Sequence, residues 1–298
     1  MFFDTNANNV FRPPSEANSF ILRLTRGCSH NKCTYCNMYR GVQFEILNDK
    51  QVANQIAMAV KVGKMRVRRI FLADGDALVV PTERLLKILA ILKDSFPHLN
   101  RVSSYAGPKD ILRKTPEELK SLKEAGLTLL YYGMESGDSE VLAKVKKGVT
   151  GEESIEAGQK VIAAGMKLSI MVIIGIAGVE GSKKHAVKTA EAINAIKPTM
   201  LSALTMMLYR GSELLEEYER GEFNPLSPYE IMVELNEIIS RIDLPKSNPC
   251  IFRSNHVSNY VQVAGNFPKD KEKMVLQTKL AMEQMKDVKE YDVYNRGF

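Results

Sequence analysis

Phe20-Ile21-Leu22-Arg23-Leu24-Thr25-Arg26-Gly27-Cys28-Ser29-His30-Asn31-Lys32-Cys33-Thr34-Tyr35-Cys36 runs from an apolar stretch into a cysteine-dense loop. The stretch Phe20–Thr25 is expected to form a short strand, which delivers the cysteines at its C-terminal end. Three of the four cysteines fall within these last nine residues. Three soft thiolates on one short loop suit iron-sulfur or zinc binding better than disulfide stapling. A fully ligated iron-sulfur cubane takes four cysteines, and Cys250 is more than 200 residues away in the sequence. A three-cysteine cluster would therefore keep one iron open, as catalytic metals do. Structural zinc, with His30 as a fourth ligand, is the alternative, although His30 lies between the first two cysteines, where closure around one ion is cramped.

Working outward, the strand is the first of six βα units. Val52–Gly63 reads as a helix, followed by strand Arg69–Ala73, helix Thr82–Ser95, strand Arg101–Tyr105, helix Pro116–Ala125 and strand Thr128–Met134. Helix Glu152–Ala164, strand Lys167–Ile174, helix Lys183–Ile196 and strand Met200–Thr205 continue the alternation. Such a pattern predicts a parallel sheet with right-handed crossovers. Six units are too few for a closed eight-stranded barrel, so the expected fold is α/β, an open (β/α)6 partial TIM barrel. Beyond it come helices Ser212–Arg220 and Tyr229–Ile242, a strand-like Cys250–Arg253 and a charged helix Lys269–Lys289. The expected organisation is a lead-in segment 1–17, a barrel domain 18–210 and a helical and strand extension 211–298 that caps the barrel.

The 298 residues can bury one large core. Hydrophobic content of 45% and charged content of 26% exclude disordered and collagen-like classes. A net charge of +6 permits anionic ligands without requiring a nucleic acid, and the basic groups lack interleaved aromatics. Met1–Asn6 has no basic region followed by an apolar core, so no signal peptide is expected there. The longest apolar stretch, Leu168–Val179, is too short to span a bilayer. Four cysteines without an export signal point to a reducing cytoplasm.

Active residues of such a barrel sit at the C-terminal ends of its strands. There the sequence carries the cysteine loop, Ala73-Asp74-Gly75-Asp76, Gly133-Met134-Glu135-Ser136-Gly137 and Gly175-Ile176-Ala177-Gly178. Together with Tyr132-Gly-Met-Glu-Ser-Gly-Asp-Ser-Glu-Val-Leu, these motifs resemble radical S-adenosylmethionine (radical SAM) enzymes. The branch is the one containing oxygen-independent coproporphyrinogen oxidases, methylthiotransferases and the Elongator catalytic subunit. The resemblance covers roughly residues 18–210, the scale of one barrel domain.

The resemblance implies that Cys28, Cys33 and Cys36 hold a [4Fe-4S] cluster whose open iron is chelated by SAM. Reductive cleavage of SAM would then give a 5′-deoxyadenosyl radical that removes hydrogen from a small organic substrate. It implies a reductant such as flavodoxin or ferredoxin and no membrane. RNA is the alternative substrate, and a non-catalytic zinc protein the alternative function. Tyr35 corresponds to the aromatic beside the adenine, with loop packing as its plainer role. Asp74, Gly75 and Asp76 stand where the family receives the SAM ammonium, and Glu135 and Ser136 where it contacts the ribose or ammonium. Lys147 stands where relatives often pair an Arg with the SAM carboxylate, and Gly175, Ile176 and Ala177 resemble the turn that contacts adenine.

Three departures accompany the likeness. Four residues, not three, separate Cys28 from Cys33; Asp-Gly-Asp replaces Gly-Gly-Glu; and Lys147 lacks the bidentate geometry of an Arg. One spare cysteine cannot hold a second cubane, which argues against a methylthiotransferase. In the extension, Phe252–Tyr260 is polar and offers Arg253, Asn255 and His256 as substrate-side candidates, with an ordinary turn as the alternative. Cys250 reads as a buried thiol, with a hydrogen-donor or auxiliary-ligand role as the alternative. His98 and His185 are placed on helical or loop surfaces, with no role.

Overall fold

A computed structural model of the protein describes residues 10–288. The N-terminal hexapeptide Met1–Asn6 and the last residue of the expected final helix, Lys289, lie outside them. In chain order the elements are strands β1 (Phe20–Arg23), β2 (Thr25–Arg26) and β3 (Glu45–Ile46), helix α1 (Asp49–Gly63), β4 (Arg69–Ala73), α2 (Thr82–Ser95) and β5 (Arg101–Tyr105). Then follow α3 (Pro108–Arg113), α4 (Pro116–Glu124), β6 (Leu127–Glu135), α5 (Ser139–Lys144), α6 (Gly151–Ala163), β7 (Lys167–Ile174), α7 (Gly178–Ile196) and β8 (Met200–Thr205). The last are α8 (Glu213–Glu219), α9 (Pro228–Arg241), β9 (Cys250–Ser254), β10 (Val263–Phe267) and α10 (Lys271–Met285).

The main sheet has the order β1-β4-β5-β6-β7-β8-β9-β10, and its two ends are different strands, so it is open. Parallel pairing joins β1 to β4 and β4 to β5, with Phe20 opposite Ile70 and Ile70 opposite Val102. Every residue of β1 is buried, as expected for a strand covered on both faces. The expected first strand divides in two: after Leu24 the chain turns into β2, which pairs antiparallel with β3.

By chain contacts the described residues form two compact units, one of residues 10–31, 38–132 and 160–168, the other of 32–37, 133–159 and 169–288. Within the first, a buried Glu16 closes the network around β5 and β6. It accepts hydrogen bonds from Tyr131 Oη at 2.6 Å, Arg101 Nη2 at 2.7 Å and Ser103 Oγ at 3.0 Å. One guanidinium and two hydroxyls donating to this carboxylate offset the cost of burying it. Capping boxes start α1 (Asn48 with Gln51) and α4 (Thr115 with Glu118).

Within the second unit, β8 pairs parallel with β9, and β9 antiparallel with β10. The extension thus adds strands to the sheet besides adding helices. β10 escapes sequence reading because Gly265 and Asn266 interrupt its pattern. α7 begins five residues earlier than the expected Lys183, since Gly178 and Gly181 mask its first turn. Among the described residues no helix is long and apolar enough to cross a membrane.

Candidate functional site

In the first unit the loop enters through Gly27, at φ +80°, a conformation that suits glycine. Cys28 is half-buried, and the Asn31 N–H donates to its Sγ at 3.4 Å. Gly75 follows β4 and donates its N–H to Gly27 O at 3.1 Å. The backbones approach so closely that a Cβ at position 75 would stand 2.6 Å from Cys28 Cβ. Glycine is required there by contact rather than by φ.

Asp74 adopts φ +74° at the end of β4, in the left-handed region that costs a non-glycine residue on the order of 1 kcal/mol or more. Its fully buried carboxylate takes Nε and Nη2 of Arg23 at 2.9 and 2.6 Å, and Tyr39 Oη at 3.4 Å. Burial raises its pKa, and the Arg23 hydrogen bond and charge pull it back. Gln55 on α1 bonds both the N–H and the carbonyl of Arg23 at 3.0 Å, fixing the pair. Asp76 accepts the N–H groups of Leu78 at 3.0 Å and Gly107 at 2.9 Å. Burial, then Asp110 alongside, pushes its pKa well up. Both acids expected to meet the SAM ammonium are thus engaged by the protein's own donors, and the half-buried Gly75 between them offers its backbone.

In the second unit Cys33, Tyr35 and Cys36 sit on a turn in which Cys36 N–H donates to Cys33 O at 3.3 Å. Thr34 ties the turn down from both sides. Its N–H donates to Val145 O at 3.1 Å, and its carbonyl accepts Leu214 N–H at 3.0 Å. Asn37 Nδ2 adds a bond to Arg210 O at 3.1 Å. Tyr35 and Ile173 both pack against the cluster containing Ile176 and Ala177, so the expected adenine-side residues come together. Burial first, then the charge of Glu135, raises the Tyr35 phenol well above its ordinary pKa.

Glu135 ends β6 at φ +64°, repeating the strained acid at the end of β4. Lys147 Nζ stands 2.8 Å from its Oε1, both side chains nearly buried. A cation and an anion side by side match the carboxylate and ammonium of an amino acid. Gly133 leaves room for the pair, since a Cβ there would collide with Glu135 Oε1 and lie 3.2 Å from Lys147 Nζ. Gly175, at φ +86°, gives its N–H to Glu234 Oε1 at 2.7 Å.

His185, expected on a surface, is instead fully buried, because Ala186, Thr189, Ala190 and Ile193 place that side of α7 inside. Its Nδ1 is 2.8 Å from Ser136 Oγ, and its Nε2 is 3.5 Å from Glu234 Oε1. Burial lowers the His185 pKa to about 4 and raises that of Glu234 to about 7. Glu234 also escaped the sequence reading. Its position between Ile231 and Ile238 on the apolar face of α9 is the signal that reveals it.

The extension's candidates differ in setting. Arg253 is exposed and donates to the carbonyls of Phe252 at 2.7 Å and Gly265 at 3.1 Å. Asn255 is exposed, and His256 is half-buried with Nδ1 2.8 Å from Ser258 Oγ. Asn259 anchors this segment to the end of β8. Its Oδ1 accepts Thr205 N–H at 2.7 Å and Oγ1 at 2.9 Å, and its Nδ2 donates to Ala203 O at 2.9 Å.

Cys250 is fully buried, and burial pushes its thiol up to about 12. In the folded, metal-free protein at pH 8, iodoacetamide is therefore expected to label Cys28, Cys33 and Cys36 and to spare Cys250. Peptide mass spectrometry reads the result, and fast labelling of Cys250 without unfolding contradicts it.

The donor chemistry suits a cluster: three half-buried thiols free of disulfides, one accepting a backbone N–H. Among the described residues no three His, Cys, Asp or Glu side chains gather at the spacing of a single ion.

The radical SAM superfamily profile matches residues 22–193. The chain is 24% identical over 264 residues to 4′-phospho-dehydrooxetanocin synthase of Priestia megaterium, covering 76% of this chain and 36% of that protein. It is 24% identical over 225 residues to the heme chaperone HemW of Bacillus subtilis, covering 71% of this chain and 56% of that one. The chain thus spans about a third to a half of these relatives' lengths. The solved structure of Elp3 from Methanocaldococcus infernus matches at TM-score 0.53 and 18% identity, over 90% of this chain and 63% of that one. It shares the fold, the open partial barrel expected from the βα period. With cysteine loop, strand-end acids and profile in agreement over the same residues, the chain belongs to the radical SAM superfamily, whose members use a [4Fe-4S] cluster and SAM.

Proposed function

We propose that the protein is a radical SAM enzyme in which Cys28, Cys33 and Cys36 hold a [4Fe-4S] cluster and SAM completes it. The observation that carries this reading is the trio of half-buried thiols, none in a disulfide, inside the matched residues. With cluster and SAM bound, the chemistry supplied is reductive cleavage of the sulfonium to methionine and a 5′-deoxyadenosyl radical, which takes hydrogen from a substrate carbon.

The chain's own residues bind and orient. Lys147 and Glu135 address the methionine carboxylate and ammonium, and the backbone of 74–76 adds acceptors beside Cys28. Tyr35, Ile176 and Ala177 supply an apolar bed for adenine that excludes water. Ser136 holds the strand end. Arg253, Asn255 and His256 are the substrate-side candidates, the substrate being a small organic molecule. The catalytic barrel spans 18–210, preceded by the lead-in 1–17 and capped by 211–298. A flavodoxin or ferredoxin delivers the electron in the cytoplasm.

Anaerobic reconstitution is expected to load about four iron and four sulfide per chain. With SAM and dithionite the loaded protein should release 5′-deoxyadenosine, measured by liquid chromatography. A colourless protein containing zinc but neither iron nor sulfide, or a loaded one releasing no 5′-deoxyadenosine, refutes the assignment.

A further inference from the structure

His185 and Glu234 are fully buried polar side chains on helices whose inner faces are otherwise largely apolar. Such groups cost stability unless they satisfy one another or something else. What they satisfy here is backbone next to the strand ends. Glu234 accepts the Gly175 N–H at 2.7 Å through Oε1 and the Ser182 hydroxyl at 2.5 Å through Oε2. Ser136 Oγ accepts the Asp138 N–H at 3.0 Å, so its proton is free for His185 Nδ1 at 2.8 Å. Nδ1 is then the acceptor, and the proton sits on Nε2, assigned from this network. That nitrogen makes no hydrogen bond of good geometry; the Ile173 backbone lies near the ring, and Nε2 faces Glu234 Oε1 at 3.5 Å. Thr189, one turn further along α7, accepts the Gly137 N–H at 3.1 Å.

The two segments gripped are Ser136–Asp138 and Gly175. The grip on one comes from α7 and on the other from α9, and the His185–Glu234 approach couples them. An apolar pair of similar volume would fill the space without the desolvation cost, so the polar pair indicates a demand for placement. The geometry points to His185 and Glu234 as a positioning pair that holds the strand ends 135–138 and 174–177 in mutual register for SAM. This rests on the assignment of Glu135, Ser136 and Gly175–Ala177 to SAM in the proposed function.

Glu234→Met retains bulk and removes both acceptors; Glu234→Gln retains an oxygen for Gly175. In cluster-free protein, hydrogen exchange at Gly175 should accelerate in Glu234→Met and return toward wild type in Glu234→Gln. In loaded protein, Glu234→Met should raise the SAM KM about tenfold, the worth of one hydrogen bond, with kcat held within about twofold. Glu234→Gln should restore the KM to within about threefold of wild type. His185→Phe, which fills the same space, is the independent second variant and should raise the KM in the same way.

An unchanged SAM KM in either folded variant overturns the proposal, as does a Gln variant as weak as the Met one. Failure of both Glu234→Met and His185→Phe to fold also overturns it, because the pair then serves the fold alone. Wild type releasing no 5′-deoxyadenosine defeats the enzyme assignment instead, while exchange in the cluster-free protein still reads the pair.

Discussion

Cys36→Ala should yield a folded protein that retains no iron or sulfide after reconstitution and releases 5′-deoxyadenosine only at background. A cubane that draws three protein thiolates and leaves one iron for SAM has no spare ligand, and the remaining thiol, Cys250, is buried and strongly disfavoured as a thiolate. Replacement by Ser should fare no better, since a hard hydroxyl poorly suits iron that favours soft sulfur. The fold should survive, because the turn is held by backbone bonds of Thr34 to Val145 and Leu214 rather than by the thiols. Iron and sulfide analysis with circular dichroism checks both halves. Wild-type cleavage by the alanine variant would remove Cys36 from the ligand set.

Gly75→Ala should have the next largest effect, although position 75 carries no side chain to lose. An added Cβ would lie 2.6 Å from Cys28 Cβ, 2.7 Å from its Cα and 3.0 Å from its Sγ. Carbon atoms prefer about 3.5–4.0 Å, so the loop or the strand end must withdraw. The strand end cannot easily do so, since its neighbour Asp74 is bound to Arg23 at 2.6 Å inside the protein. Cys28 therefore moves, and the variant should load less than about a tenth of the wild-type iron while keeping its circular dichroism. Full iron loading in Gly75→Ala would show that Cys28 tolerates displacement or is not a ligand.

Much of this was legible in the sequence because it depends on local pattern. The alternation of apolar strands with 3.6-period helices locates β4, β5, β7, β8 and α2 to the residue. Short elements such as α3 and α5 carry too few turns to show a period, and β10 is broken by Gly265. Side-chain partnership was less legible still. That Asp74 would be spent on Arg23, fifty-one positions away, follows from the register Arg23 opposite Ala73 and not from either residue's neighbours. His185 shows the opposite failing. Its buried setting was readable from Ala186, Thr189 and Ala190, but a histidine's polarity outweighed the periodicity.

Glu16 lies outside the residues matched by the superfamily profile and yet serves the sheet inside them. The residues matched by the superfamily profile begin at 22, six positions after Glu16. Yet Glu16 is the acceptor for Arg101, Ser103 and Tyr131, on β5 and β6. A segment cut at the start of the profile match would leave three donors of the sheet without their carboxylate. Any division of this chain into transferable parts therefore has to keep Glu16 together with β5 and β6.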